Sequence, residues 1–543
     1  MGLLPAHTAC TSSPRVGIVG GGIAGLSCGL RLSALGFTVA VFDTGKRGAG
    51  GRASSRLFAA SPADHAAQYI TLADGADSPF ARFVHQMEQD GGLRKWEGAR
   101  VGVLSEPGEL VVPLEQGVNR YVGTLEEGMG SLAHRMAAQL DMRQDVWVPP
   151  SGGLQRVADG WRVRMGRGGG EDELFDMVVL SHNGKCAERL TSTIPAIEVH
   201  TLLRAKFSPT LGRVREGTAK MTLCSIYSLL FEVEPGVMPD TFDAANILPT
   251  ASEELQLLCN NGRKYPLADG AERSTHVWTA LSSASFGTRH KHPQEALEGT
   301  PKEAEVQALM LAAVERACGL APGALSSAVR ATKVQLWGAA TPLNRWDRDY
   351  CWDAEKAIGV CGDWLSSSPS RASTIEAAWT SGYLLAEHIA MHTDRSFGLD
   401  LGRDGGRFWP VAAGLAGDVP EGTPASPRGE WVEVEHGSAS PKGGPKSRAT
   451  NGKGVRRAAP LSSGGRELFL KNLPYAAGEE SVVKFLSTAG RVGRVELVRD
   501  EQGRSRGLAR VQMETSEGAK AAIEKLGGSE LDGRSITVAI DRR

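Results

Sequence analysis

Three glycine-bearing stretches carry the residue types that hold a phosphorylated cofactor. In the first, Gly20, Gly22 and Gly25 stand at GxGxxG spacing with Ile23 and Ala24 between them. There the first glycine permits a tight bend and the second lets a pyrophosphate approach the backbone. The third lets the following helix pack closely on the strand. The N-terminus of that helix offers free N–H groups and the positive end of a dipole to the anion. Asp43 follows Gly25 by 18 positions, where a carboxylate accepts from the ribose hydroxyls of an adenosine. The second stretch, Gly48-Ala49-Gly50-Gly51-Arg52, comes directly after the acid. Its Gly51 gives close backbone approach, and Arg52 offers a charge-assisted contact to the same pyrophosphate. The third, Gly362-Asp363, ends the apolar run Ile358–Cys361 with a second carboxylate.

The elements around these residues read as strand, turn, helix, strand. Val16–Val19 has the continuous apolar character of a buried parallel strand. Ile23–Leu35 carries apolar residues at helical spacing with Gly36 as its stop, and Thr38–Phe42 is the second strand. The turn alone does not separate NAD from FAD. The glycine-arginine loop does, because an NAD enzyme usually continues from the acid into another helix. The order GxGxxG, acid, GxGGR resembles the flavin amine-oxidase superfamily, and within it renalase-like FAD oxidoreductases, over about residues 15–395.

That resemblance implies further residues. Asp64-His65-Ala66-Ala67-Gln68-Tyr69 is similar to a DHGAQYF segment close to the flavin, with alanine in place of glycine at 67. It implies Gln68 and Tyr69 as site lining; by spacing alone Asp64 and His65 read as a loop pair and Tyr69 as core. The backbone of Val148 is implied to contact the adenine, and Met129, in a Gly-Met-Gly helix start, either faces the flavin or packs. His182–Ala187 is similar to an HNGKCA segment of plant and algal members. Trp337 matches an aromatic near the isoalloxazine, although any of the 11 tryptophans serves equally well as core. Asp363 is implied to accept from ribityl or phosphate-side hydroxyls. A helix from about Thr374 to Ala390 would aim its N-terminus, around Ile375 and Ala377, at the flavin N1–C2=O edge, where a helix dipole favours reduced flavin.

At 543 residues the chain holds two or three domains, and a formal net charge of −1 gives no overall bias toward nucleic acid or membrane. The 8 cysteines form no CxxC pair or zinc-spaced cluster, so neither a metal site nor a disulfide framework is expected. No apolar stretch is long enough to span a membrane, and the first residues lack a secretory, myristoylation or long transit pattern. The expected localisation is intracellular and soluble, cytoplasmic or plastid.

Strands are expected at Asp145–Val148, Trp161–Met165, Phe175–Leu180, Thr222–Phe231, His276–Ser282 and Ala331–Leu336. A helix opens with the capping pattern Thr300-Pro301-Lys302-Glu303 and runs to Ala317. The expected fold class is α/β: a Rossmann-like FAD-binding domain (about 15–60, 120–185 and 350–395) with an inserted α+β substrate domain (about 61–119 and 186–349). Residues 396–465 are rich in Gly, Pro, Ser and Ala, with six basic residues and no acid over Lys442–Arg457, and read as a disordered linker.

Residues 466–543 resemble an RNA-recognition motif, a ferredoxin-like α/β sandwich in βαββαβ order. Leu468–Leu473 is similar to its hexamer and Arg506–Met513 to its octamer. The resemblance implies Phe469, Lys471, Arg506 and Arg510 as RNA-binding residues. Aromatics are expected at the third, fifth and last octamer positions, where this chain has Leu508, Arg510 and Met513. Each stacking platform lost forfeits ~1–3 kcal/mol. With 14 Lys/Arg against 12 Asp/Glu the segment has little charge to compensate, so single-stranded RNA and a protein stand as alternative partners.

The function expected is an FAD-dependent oxidoreductase taking a hydride to flavin N5 from an amine or a dihydronicotinamide-type donor, with O2 as acceptor. No residue marks itself as an obligatory acid or base. The alternative is an RNA-binding or scaffold protein whose flavin fold is structural or vestigial.

Overall fold

A computed structural model describes residues 13–111, 117–158, 160–166, 170–208, 220–267, 269–271, 273–391, 408–410, 467–471, 473–474, 477–499, 505–526, 529–531 and 534–540. The chain divides into two compact units, Met1–Val434 and Glu435–Arg543.

In the first unit the apolar strand Arg15–Val19 lies inside a six-stranded sheet between Thr38–Asp43 and Met177–Leu180. Asp141–Gln144 flanks one side, Ile358–Val360 and Cys351–Asp353 the other, and only the last strand is antiparallel. Asp141–Gln144 replaces the strand expected at Asp145–Val148. Asp145 has φ 55°, so the chain turns out of the sheet where the strand was to begin. The helix Ile23–Ala34 covers one face of this sheet and carries the helix Ile375–Met391 against it. Gly382 makes that approach possible, since a Cβ there would lie 2.0 Å from the Ala24 carbonyl oxygen. The Ser27 hydroxyl donates to the Trp379 carbonyl at 2.7 Å across the same contact.

Between Met177–Leu180 and its sheet neighbour Ile358–Val360 the chain leaves to build six strands of an eight-stranded sheet, whose other two come from before Met177. Its order is Ala205–Phe207, Met221–Val233, His276–Ser282, Leu255–Asn260, Ala244–Ile247, Val101–Glu106 and Glu109–Val111, with Ala331–Pro342 paired to Met221–Val233. Helix Pro301–Ala317 buries Val306, Met310 and Val314 against Leu229, Phe231 and Trp278 of that sheet. Its start is the expected one. Thr300 accepts from the Glu303 N–H at 3.2 Å, and the Glu303 carboxylate accepts from the Gly299 N–H at 2.7 Å.

Part of the stretch read as linker belongs to this unit. Phe408–Pro410 pairs with Asn344–Trp346, and Phe408 is buried with its ring 5.0 Å from that of Trp346. Phe408 finds an apolar groove here despite polar surroundings in sequence, whereas the adjacent Trp409 is exposed. Lys442–Arg457 lies outside the described residues.

The second unit has a four-stranded sheet ordered Val492–Arg499, Ser505–Met513, Glu467–Lys471, Thr537–Ile540, with helices Glu479–Leu486 and Ser516–Leu526. Leu468, Leu470, Ala509, Val511 and Met513 are buried with Val482, Leu486, Ala519 and Ala522. Strand alternation therefore puts Phe469, Leu508 and Arg510 on the other face, and Phe469 lies directly opposite Arg510 in register.

Candidate functional site

A cavity of about 320 Å³ opens where the carboxyl ends of the parallel strands meet the eight-stranded sheet. In sheets of this kind the crevice outside those ends is where ligands bind. Gly20 leaves the first strand at φ 116°, and its N–H donates to the Phe42 carbonyl at 2.8 Å. A Cβ at Gly25 would lie 2.1 Å from the Gly20 carbonyl oxygen, so helix and turn meet only because both residues are small. Gly22 differs. A Cβ there meets nothing within 4 Å, and Gly22 lines the cavity, so any side chain would project into the space the turn encloses.

The second glycine loop lies beside the first. The Gly50 N–H donates to the Gly21 carbonyl at 2.7 Å, and Gly22 and Gly50 form a parallel bridge. Gly51, Arg52, Ile23, Ala24 and Asp43 join Gly20 and Gly22 in the cavity wall, whereas Gly25 packs behind it. Burial raises the Asp43 pKa, against amides of Gly45, Gly21 and Thr44 that favour its charged form.

From the sequence Arg52 and Asp363 read as two independent cofactor contacts. The structure joins them. Arg52 Nη1 donates to Asp363 Oδ2 and Nη2 to Oδ1, both at 2.8 Å, and Nη1 also donates to the Ala340 carbonyl at 2.6 Å. Burial works against the guanidinium charge, but the Asp363 carboxylate outweighs it and raises the Arg52 pKa. Side-chain exposures of 32% for Arg52 and 6% for Asp363 leave the arginine as the partner with atoms still open to a ligand. The Gly362 N–H donates to the Ser381 hydroxyl at 3.0 Å, which ties this turn to helix Ile375–Met391.

Helix Ile375–Met391 begins at the cavity. Ser373 has φ 69°, an uncommon conformation for a residue with a Cβ, and its N–H donates to the Asp363 carbonyl at 2.9 Å. Ser373, Thr374, Ile375 and Ala378 line the cavity. Ala377 does not. Its N–H donates to the Thr374 hydroxyl at 3.0 Å, so helix capping consumes the amide expected to serve a ligand.

Gln68 is a correction. Its side chain is fully buried away from the cavity, donating to the carbonyls of Asp64 and Ala66 at 2.8 and 3.0 Å and accepting from Lys264 Nζ at 2.9 Å. Lys264 Nζ also sits 2.7 Å from Asp64 Oδ2 with both side chains at 0% exposure. The Tyr265 and Ser55 hydroxyls each donate to that carboxylate at 2.5 Å. Polar residues that spacing placed in a loop thus fasten the turn after Ser61–Asp64 to the eight-stranded sheet. Met129 is likewise packing, at 0% exposure, with its N–H donating to Asp64 Oδ1 at 2.9 Å. The Val148 side chain is buried among Trp161, Val163 and Leu154, and the residue does not line the cavity.

Tyr69 and Trp337 do reach the cavity, with Ile226 and Leu281 beside them as its apolar end. Trp337 Nε1 donates to the His65 carbonyl at 3.1 Å and its ring stacks on His65. Sequence reasoning missed Ser181, His182 and Asn183 as lining, although they follow the strand Met177–Leu180 at its carboxyl end, a position that marks ligand contact. Burial lowers the His182 pKa, opposed by the Val19 carbonyl 3.1 Å from its Nδ1. Gln256 and Thr341 also line the cavity, and only the folded sheet brings them there. The glycine cradle at Gly22 and the oppositely charged groups beyond it fit a dinucleotide cofactor. Among the described residues no group of three or more metal-ligating side chains occurs, and no helix is long and apolar enough to cross a membrane.

On the second unit Met513 is corrected from platform to core, because the last octamer position has the opposite strand parity to the third and fifth. The altered platforms are therefore Leu508 and Arg510. The side chains of Lys471 and Arg506 lie outside the described residues.

A family model described as an NAD(P)-binding Rossmann-like domain matches residues 18–86, and one described as an RNA recognition motif matches 468–537. A serine/arginine-type shuttling mRNA binding protein of Mycosarcoma maydis is 35% identical over 101 residues, 19% of this chain and 17% of that protein. The chloroplastic 29 kDa ribonucleoprotein A of Nicotiana sylvestris is 38% identical over 73 residues, 13% of this chain and 27% of that one. The chain thus spans only about a sixth to a quarter of these relatives' length. A structure of putrescine oxidase with putrescine bound covers 70% of this chain and 99% of its own, at 14% identity and a TM-score of 0.46. That of the RNA15 RRM covers 14% and 90%, at 28% identity and 0.14. Strand order, glycine turn and family models agree, and the chain joins an NAD(P)-binding Rossmann-like domain to a C-terminal RNA recognition motif.

Proposed function

We propose that the first unit is an FAD-dependent oxidoreductase that takes a hydride from an amine or a dihydronicotinamide-type donor, with O2 as terminal acceptor. The observation that carries this reading is the cavity that runs unbroken from the glycine cradle and Asp43 to an apolar end at Tyr69, Trp337, Ile226 and Leu281. FAD bound there would supply hydride acceptance and reoxidation by O2, chemistry that belongs to the cofactor. The chain's own residues bind, orient and exclude water. Gly20–Gly25 would receive the pyrophosphate, Asp43 would accept from the adenosine ribose, and Arg52, paired with Asp363, would hold that carboxylate in place for the remaining sugar hydroxyls. The N-terminal turn at Ile375 brings the positive end of its helix to the site. The apolar end positions the donor and keeps water from the reacting centre.

The test is an absorbance spectrum of the purified full-length protein before and after anaerobic addition of NADH, NADPH and simple amines. Flavin bands that one donor bleaches support the reading. A colourless protein that cannot be loaded with FAD overturns it.

We also propose that the second unit binds single-stranded RNA through the sheet face of Phe469, Leu508 and Arg510. The relatives' names as mRNA-binding protein and ribonucleoprotein support this, as does the pairing of Phe469 with Arg510, a ring beside a guanidinium that stacks on bases. If the first unit holds no flavin, this unit carries the function.

A further inference from the structure

The apolar end of the cavity holds a polar side chain that the cofactor reading does not use. Gln256 lines the cavity and is only 6% exposed. Among the described residues nothing is hydrogen-bonded to its carboxamide. Gln68 is the contrast, since its buried carboxamide is held by Asp64, Ala66 and Lys264. A carboxamide carries one acceptor and two N–H donors, and burying them without partners costs free energy that a ligand of matching chemistry recovers.

An irregularity in the strand aims Gln256 at the cavity. Leu255–Asn260 pairs with His276–Ser282, and the register shifts between Leu255 and Leu257. Strict alternation would put those two leucines on one face. Instead Leu255 packs with Phe231, Trp278 and Met310, while Leu257 packs with Ile226, Leu281 and Tyr69. Gln256 is the extra residue between them, and a bulge of this kind re-aims a side chain. A second register shift, between Cys224 and Ile226, sets Trp337 opposite Ile226 and Thr341 opposite Cys224, and both Trp337 and Thr341 line the cavity. The two irregularities thus shape the same wall from neighbouring parts of one sheet. That wall lacks negative charge. Asp43 and Asp363 are the carboxylates among the lining residues; Asp43 stands at the glycine turns and Asp363 is paired with Arg52. An ammonium group brought to Gln256 would lose its water with no anion to receive it.

We propose that Gln256 is the residue that selects the donor, by exchanging two hydrogen bonds with an uncharged amide-type group: its carbonyl accepts from an N–H and its NH2 donates to a carbonyl. This rests on the oxidoreductase reading for the chemistry that follows binding. A ligand offering only one of the two partners leaves half of the carboxamide buried and unpaired, and a cationic amine adds its own desolvation cost. Tyr69 and Trp337 supply apolar surface for the ring that carries the group.

The test uses the full-length protein and three benzene derivatives of similar size. Benzamide offers both partners, acetophenone the carbonyl alone, and benzylamine is an ammonium at neutral pH. Calorimetric titration is expected to give benzamide the tightest binding, at least about tenfold over acetophenone. Gln256→Met, unbranched and of the same length, should bring that ratio to within about twofold. Gln256→Glu keeps the volume, replaces the donor by a charge, and should reverse the order in favour of benzylamine. Absence of benzamide binding, equal binding of benzamide and acetophenone, benzylamine binding tighter than benzamide to the wild type, or a ratio that survives in Gln256→Met overturns the proposal. Should Gln256→Met not fold, Gln256→Glu decides it, and an order unchanged from the wild type overturns it. Flavin content is read by absorbance in the same samples. Absence of flavin bands defeats the oxidoreductase reading and leaves the calorimetric result to decide the role of Gln256.

Discussion

Replacing Arg52 by alanine removes one half of the charge pair that bridges the two cofactor loops. The pair has two parallel bonds of 2.8 Å, and Asp363 is only 6% exposed, so its carboxylate is left in low dielectric without compensation. Breaking a fully buried pair in this way costs about 3–5 kcal/mol. Arg52 is 32% exposed, however, and water entering its place recovers part of that loss. We therefore expect ~2–3 kcal/mol from the unfolding free energy of the cofactor-free protein. FAD binding should weaken more than about tenfold, since Asp363 no longer has a fixed orientation. Asp363→Asn should cost less, because the stranded guanidinium can turn to solvent. The two residues act as a unit, so Arg52→Ala/Asp363→Asn should lose less than the sum of the single variants by at least ~1.5 kcal/mol. Urea denaturation of the four proteins measures the first quantity and flavin fluorescence titration the second. Additivity within ~0.5 kcal/mol in both, or undiminished FAD affinity in Arg52→Ala, would refute the assignment of the pair.

The glycine turn separates fold from function. Gly22→Val should unfold like the wild type yet retain no FAD, because its side chain enters the cavity, whereas Gly25→Ala should lose stability by driving a Cβ into the Gly20 carbonyl; denaturation and bound-flavin absorbance distinguish the two. Lys264→Met, which strands the buried Asp64 carboxylate, should cost ~3–5 kcal/mol in urea denaturation, and Lys264→Met/Asp64→Asn should recover part of it. His65 is neutral when folded down to about pH 3 but takes a proton in the unfolded chain below about 6.5. Its contribution is therefore fully present above pH 6.5 and falls by about 1.4 kcal/mol per unit as pH drops toward 3. His65→Asn should remove that slope from the difference between the two stability curves. In the second unit Phe469→Ala should weaken single-stranded RNA binding by ~1–3 kcal/mol, and Leu508→Phe should strengthen it, as read by fluorescence anisotropy at fixed salt.

What the sequence determined was whatever local chemistry encodes. The glycine spacing, the apolar strand before it and Asp43 at its proper distance form one continuous segment, so its turn, helix and cavity-facing backbone could be read directly. The same holds for the capped helix after Thr300 and for the alternation in Leu468–Lys471. Local patterns failed where partners lie far apart along the chain. Arg52 and Asp363 are 311 positions apart, and each reads as an independent cofactor contact until the fold closes them into a pair. Gln68 reads as site lining from the resemblance, and only Lys264, 196 positions on, shows that it belongs to a buried network. Ala377 is at a helix start, but whether its amide serves a ligand depended on how the Thr374 hydroxyl turned. Burial and charge pairing are set by what surrounds a side chain, and most of those neighbours are contributed by strands that meet only in the folded protein.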